Sequence, residues 1–193
     1  MEVTWVRNQG RPKMRINRED CTGLVVDIQE KLFPHMNGKD TLLGKCSILL
    51  EGLKVLGVPL MVTEQYPKGL GSTIGPLKDI LDQQEPFEKM AFSCCDEPAF
   101  RLALERSGHS QIIICGIEAH VCVLQTTVDL LELGYHPVVV ADCIDSRNPG
   151  DKAIALERMR REGALITSCE SILFELARMA GTDEFRKISS LVK

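Results

Sequence analysis

Apolar residues in this chain fall into short unbroken runs, separated by segments in which they recur every three or four positions. Leu24-Val25-Val26-Asp27-Ile28 reads as a buried strand and Val58 to Thr63 as a second. Between them, Asp40 can cap a helix whose residues Leu43, Cys46, Leu50 and Leu53 share one face and which Gly57 closes. Pro86 to Lys89 is expected to be a short third strand. Asp96 to Gly108 is predicted helical, with Pro98 tolerated in its first turn. Ile112 to Cys115 forms the next strand, which ends at Gly116 and turns into a helix carrying Cys122 in its opening turn and running to Gly134. Val138 to Ala141 is a further strand, followed by a helix begun by Asn148-Pro149. Ala164 to Ile166 is the last strand, and Thr167 with Glu170 forms a capping box for a final helix ending at Gly181.

Strand–helix alternation with continuously apolar strands predicts an α/β protein: a parallel sheet of about six strands in a three-layer α/β/α, Rossmann-like arrangement. Right-handed crossovers and a reversal of strand order would put a ligand crevice at the carboxyl ends of the strands. The 193 residues suit a single domain over residues 1–193, with its core at about residues 20–181. Residues 1–20, which include Trp5 and Val6, and residues 182–193 lack strong periodicity. They are read as arms that dock subunits of a homo-oligomer.

Composition narrows the class. A formal net charge of −4 offers no basic face for nucleic acid. No apolar run approaches the ~20 residues that span a bilayer, and the polar start of the chain has no signal-peptide core. Eight cysteines in a chain this long and regular, several in or beside apolar strands, fit reduced thiols in a cytoplasm better than a disulfide framework. Neither CxxC nor His/Cys ligand spacing appears, which argues against zinc; no cofactor is expected. The expected partner is a small-molecule substrate.

Three residues fall where this architecture places chemistry. Asp27 interrupts an apolar run at a strand's carboxyl end, where a charge needs a partner or a task; a capping role is the plain alternative. Lys89 stands at another strand end, where a solvated surface lysine is the common outcome. Cys122, at a helix start, sits in a field that favours the thiolate, although buried structural cysteines are common. Together they make a mechanism: Asp27 takes the thiol proton, Lys89 steadies both anions, and Cys122 attacks a carbonyl carbon.

The blocks Val25-Val26-Asp27-Ile28-Gln29-Glu30-Lys31-Leu32-Phe33, Glu88-Lys89-Met90-Ala91-Phe92-Ser93 and Gly116-Ile117-Glu118-Ala119-His120-Val121-Cys122-Val123 resemble the isochorismatase-like cysteine hydrolases. The resemblance spans about residues 20 to 181. Val62 to Gly71 looks especially like the isochorismatase domain-containing subgroup. It implies a catalytic Asp–Lys–Cys triad at Asp27, Lys89 and Cys122. It further implies a cis peptide at Ile117–Glu118, and an oxyanion hole made of the backbone N–H groups of Glu118 and Cys122.

Where nicotinamidases of that superfamily bind a metal, this chain reads Thr63-Glu64-Gln65-Tyr66-Pro67 without a histidine, which favours a metal-free site. Isochorismatases often replace the nucleophilic cysteine, so its retention favours acyl chemistry on a small amide over vinyl-ether cleavage. A noncatalytic scaffold is the rival from another class. Gln29, Phe33, Gln65, Tyr66 and Phe92 are read as substrate-contacting, with core packing the ordinary alternative for the two phenylalanines. His120, two helical positions from Cys122, points elsewhere and is expected to face solvent or an interface. The adjacent Cys94 and Cys95 are read as packed or partly exposed thiols.

Overall fold

The unbroken apolar runs become buried strands of one parallel sheet in a computed structural model that describes residues 15–82 and 84–193. Its strands are β1 (Cys21–Val26), β2 (Leu60–Gln65), β3 (Phe87–Lys89), β4 (Gln111–Ile117), β5 (His136–Asp145) and β6 (Leu165–Thr167). They lie in the order β3-β2-β1-β4-β5-β6, every pairing parallel. Every residue of the central strands β1 and β4 is buried, as a strand covered on both faces requires.

Alternation along those strands feeds two cores. Val25, Ile113, Cys115 and Val138 point into one, packed by α1 (Lys39–Val55), α7 (Cys169–Ala177) and α8 (Asp183–Leu191). Leu24, Val26, Ile112, Ile114 and Val139 point into the other, packed by α4 (Pro98–Ser107), α5 (Leu124–Glu132) and α6 (Pro149–Glu162). Two short helices, α2 (Pro67–Leu70) and α3 (Gly75–Ile80), link β2 to β3. The result is the three-layer α/β/α fold that the alternation predicts.

Local details depart from the sequence reading. Asp40 lies inside the first turn of α1, whose N-cap is Gly38. Ser168, and not a Thr167–Glu170 box, caps α7, its hydroxyl accepting from the N–H of Ser171 at 3.4 Å. α7 ends at Ala177, and the tail read as aperiodic holds α8, capped by the Thr182 hydroxyl on the N–H of Phe185. Trp5 and Val6 lie outside the described residues. Among the described residues, no helix is long and apolar enough to cross a membrane.

Candidate active site

From β1 the chain builds outward through β2 and β3, then crosses back to lay β4 against the other side of β1. The carboxyl ends of β1 and β4 therefore bound a crevice at the reversal of strand order. Gly116 lets the two strands close there: it pairs with Val26 at φ +139°, and a Cβ on it would stand 2.2 Å from the Val26 carbonyl oxygen.

Asp27 follows β1 in the left-handed region, at φ 52°, which an aspartate tolerates better than most residues. Its side chain is wholly buried. Oδ1 accepts from the Thr63 hydroxyl at 2.8 Å and Oδ2 from Lys89 Nζ at 2.6 Å. Lys89, at the end of β3, also donates to the carbonyls of Ala91 at 3.2 Å and Phe92 at 3.0 Å. Its three ammonium hydrogens thus have three acceptors, which fixes the head group. Burial pulls its pKa down, but the Asp27 carboxylate, with lesser help from Cys94 and Cys122, outweighs that and leaves it raised.

Cys122 lies, as expected, in the opening turn of the helix that follows β4; that turn, Ala119–Val123, is π-helical and runs straight into α5. The peptide bond entering that turn, Ile117–Glu118, is cis. The Cys122 thiol donates to Gln65 Oε1 at 3.1 Å. Burial pushes its pKa well up, the Asp27 carboxylate pushes it further, and Lys89 offsets only part of this. Burial and the neighbouring carboxylate thus oppose the thiolate that the helix start was expected to favour.

The other candidates separate. Gln65 touches the thiol directly. Gln29 is wholly buried and spends its amide on the protein, accepting from the N–H of Gln65 at 2.8 Å and donating to the carbonyls of Gln65 at 3.0 Å and Gly71 at 2.6 Å. It clamps β2 and has no face for a substrate, contrary to the sequence reading. Phe33 is half-buried against the first core. Tyr66 and Phe92 are exposed, and what Phe92 gives the site is its carbonyl. Glu118 accepts at Oε2 from both the N–H and the Nε of Arg147, each at 3.1 Å.

Sequence reasoning missed Thr63, which orients the Asp27 carboxylate; a hydroxyl where the apolar run of β2 gives way to Glu64 and Gln65 was the available signal. His120 is half-buried, its Nδ1 paired with the Ser146 hydroxyl at 2.9 Å. Cys94 and Cys95 are both buried; burial lifts the first to about 11 and the second to about 12. Among the described residues, no three His, Cys, Asp or Glu side chains converge as metal ligands.

Residues 22–171 match the family described as the isochorismatase domain. Isochorismatase family protein 1B of Dictyostelium discoideum is 40% identical over 183 residues, covering 93% of this chain and 89% of that one. The structure of MAR1 ribonuclease from Caenorhabditis elegans matches with a TM-score of 0.86 at 37% identity, over 92% of each chain. YcaC from Pseudomonas aeruginosa, solved with hexane-2,5-diol and covalent acrylamide, matches with a TM-score of 0.87 at 25% identity, over 94% of this chain and 93% of that one.

Proposed function

The chain belongs to the isochorismatase family of hydrolases, and from that membership we propose that it cleaves a small amide or related carbonyl substrate through Cys122. The observation that carries this reading is the fully buried Lys89–Asp27 pair, 2.6 Å apart, beside the Cys122 thiol at the crevice between β1 and β4. A buried ion pair is costly to assemble and is weak evidence for stability. Its place next to a nucleophilic atom gives it a task.

Asp27 takes the thiol proton as Sγ bonds to the carbonyl carbon, and the carbonyl π pair moves onto oxygen. The N–H groups of Glu118 and Cys122 hold that oxyanion. Collapse breaks the C–N bond, Asp27 protonates the leaving amine, and a thioester remains. Asp27 then deprotonates a water that attacks the thioester, and the sulfur departs with its proton restored. The scheme draws its base, nucleophile and oxyanion donors from the protein. The covalent acrylamide on YcaC from Pseudomonas aeruginosa supports a reactive nucleophile in this fold.

The ribonuclease name of the Caenorhabditis elegans relative supplies a second reading. The net charge of −4 speaks against it, because phosphate contacts dominate nucleic-acid affinity. A panel of small amides, ureido compounds, isochorismate and RNA, read for ammonia, pyruvate or cleaved strands, separates these chemistries. Cys122→Ser should abolish ammonia release while the fold persists, since a hydroxyl ionises far less than a thiol. Full turnover in that variant, or cleavage of RNA alone, would overturn the amidase reading.

The setting we propose is cytoplasmic, as eight free, buried cysteines suit a reducing compartment. A homo-oligomer accounts for the apolar rim of Tyr66, Met90 and Phe92, which are 47%, 71% and 51% exposed beside the Lys89 strand. Sedimentation as a concentration-independent monomer would refute that assembly.

A further inference from the structure

Four side chains bear on the Cys122 thiol, each from a different part of the fold. Asp27 follows β1, Lys89 ends β3, Cys94 lies on the turn before α4, and Gln65 ends β2. The thiol donates to the Gln65 carboxamide oxygen at 3.1 Å, in competition with the Asp27 carboxylate, which also lies within hydrogen-bonding reach of the sulfur. Each oxygen of Asp27 already accepts a hydrogen bond, one from Thr63 and one from Lys89.

Gln65 is held in two unequal ways. Its backbone is clamped at both polar atoms by the buried amide of Gln29, at 2.8 and 3.0 Å. Its side chain has one other tether, Nε2 to the Met90 carbonyl at 3.4 Å, near the outer limit for a hydrogen bond. A fixed backbone with a weakly tethered side chain makes a part that returns to one place and can still swing away. We propose that Gln65 is a positioning residue that holds the Cys122 proton off Asp27, and that its carboxamide must swing aside before Asp27 can take that proton. The chemistry suited to displacing it is its own: a substrate carboxamide or ureido group offers a matching acceptor and donor at the same spot. Nucleophile activation is thereby coupled to arrival of the substrate class. The inference rests on Cys122 being the nucleophile.

The test is the pH profile of Cys122 alkylation by acrylamide, followed by mass spectrometry of the Cys122 peptide. Substitution at Gln65 leaves the Gln29 clamp intact, because the clamp uses only backbone atoms, so the variants should fold. Gln65→Ala removes the acceptor, and Gln65→Asn keeps an amide that is too short to reach. Both should lower the midpoint by about 0.5–1 pH unit and speed alkylation near neutral pH about two- to five-fold. Gln65→Glu keeps an acceptor and adds negative charge, so its midpoint should rise. Any other pattern overturns the proposal, including a drop in Gln65→Ala without one in Gln65→Asn, which would report opened space. Turnover retained in Cys122→Ser would remove the nucleophile assignment instead, a result distinct from the order of the Gln65 midpoints.

Discussion

Lys89 gives each of its three ammonium hydrogens to a buried acceptor, and Asp27 answers with both carboxylate oxygens engaged. Removing one partner strands the other charge in the interior. Lys89→Ala should therefore cost about 3–5 kcal/mol of stability. It should also slow Cys122 alkylation at neutral pH at least about tenfold, because it deletes a positive charge that offsets Asp27. Urea unfolding and alkylation rate are the paired measurements. Lost stability with an unchanged rate would reduce Lys89 to a structural role. Asp27 was legible in the sequence because a charge inside an apolar run is expensive enough to demand an explanation. Lys89 on position alone read as a solvated lysine and stood out only in company with Asp27 and Cys122. The state of Cys122 was not legible. A local field at a helix start can be read from order along the chain, whereas burial beside Asp27 depends on strands far apart in sequence. Gln29 misled for the same reason: its neighbours in sequence suggest the cleft, but its hydrogen-bond partners, Gln65 and Gly71, lie on another element.

Among the elements, β1 and β4 announced themselves, since unbroken apolar runs leave a parallel central strand as the simplest reading. β5 was legible only to Ala141, where Asp142 breaks the run. The strand in fact continues to Asp145 across an irregular register, from Ile114↔Val139 to Gly116↔Ile144. Asp142 has an off-strand task there, accepting from the N–H of Cys169 at 2.8 Å at the start of α7. α8 was overlooked although Phe185, Ile188 and Leu191 recur every third residue behind the Thr182 cap, a helical signal confined to little more than two turns. Gly116 is the element-scale residue on which the site depends most. Its would-be Cβ meets backbone, which cannot rotate away, so Gly116→Ala must part β4 from β1 and Cys122 from Asp27. The expected loss is at least about 2 kcal/mol, read as a lower urea midpoint together with slowed Cys122 alkylation. A variant with wild-type stability and rate would mean that the close strand contact contributes nothing to the site.

At the scale of the whole molecule, the cysteines divide between the two cores. Cys21, Cys46, Cys115, Cys143 and Cys169 lie in one, with Cys94, Cys95 and Cys122 in the other, and all eight are free. Their number was plain in the sequence; their collective effect depends on burial that only the fold shows. Burial raises Cys21 to about 12, and lifts Cys94, Cys95, Cys122 and Cys143 as well. Cys46 and Cys169 are raised first by the neighbouring thiols of Cys115 and Cys143. In the unfolded chain each of these seven thiols would ionise near pH ~8.5. Below that pH both states hold their protons and the folded state keeps its full advantage. Above it the unfolded chain sheds protons that the folded protein retains, so each thiol removes about 1.4 kcal/mol of stability per pH unit. Lys89 has the same sign but acts only above its ordinary value near ~10.4. Seven thiols acting together would exhaust a typical stability of about 5–15 kcal/mol within one or two pH units. Urea unfolding under reducing conditions should therefore show a plateau to about pH 8 and a collapse by about pH 10. Cys21→Ala, distant from the proposed nucleophile, should reduce the slope by about one proton. Stability that stays level to pH ~10 would mean these thiols ionise in place, and the buried sulfurs would not be the source of alkaline sensitivity.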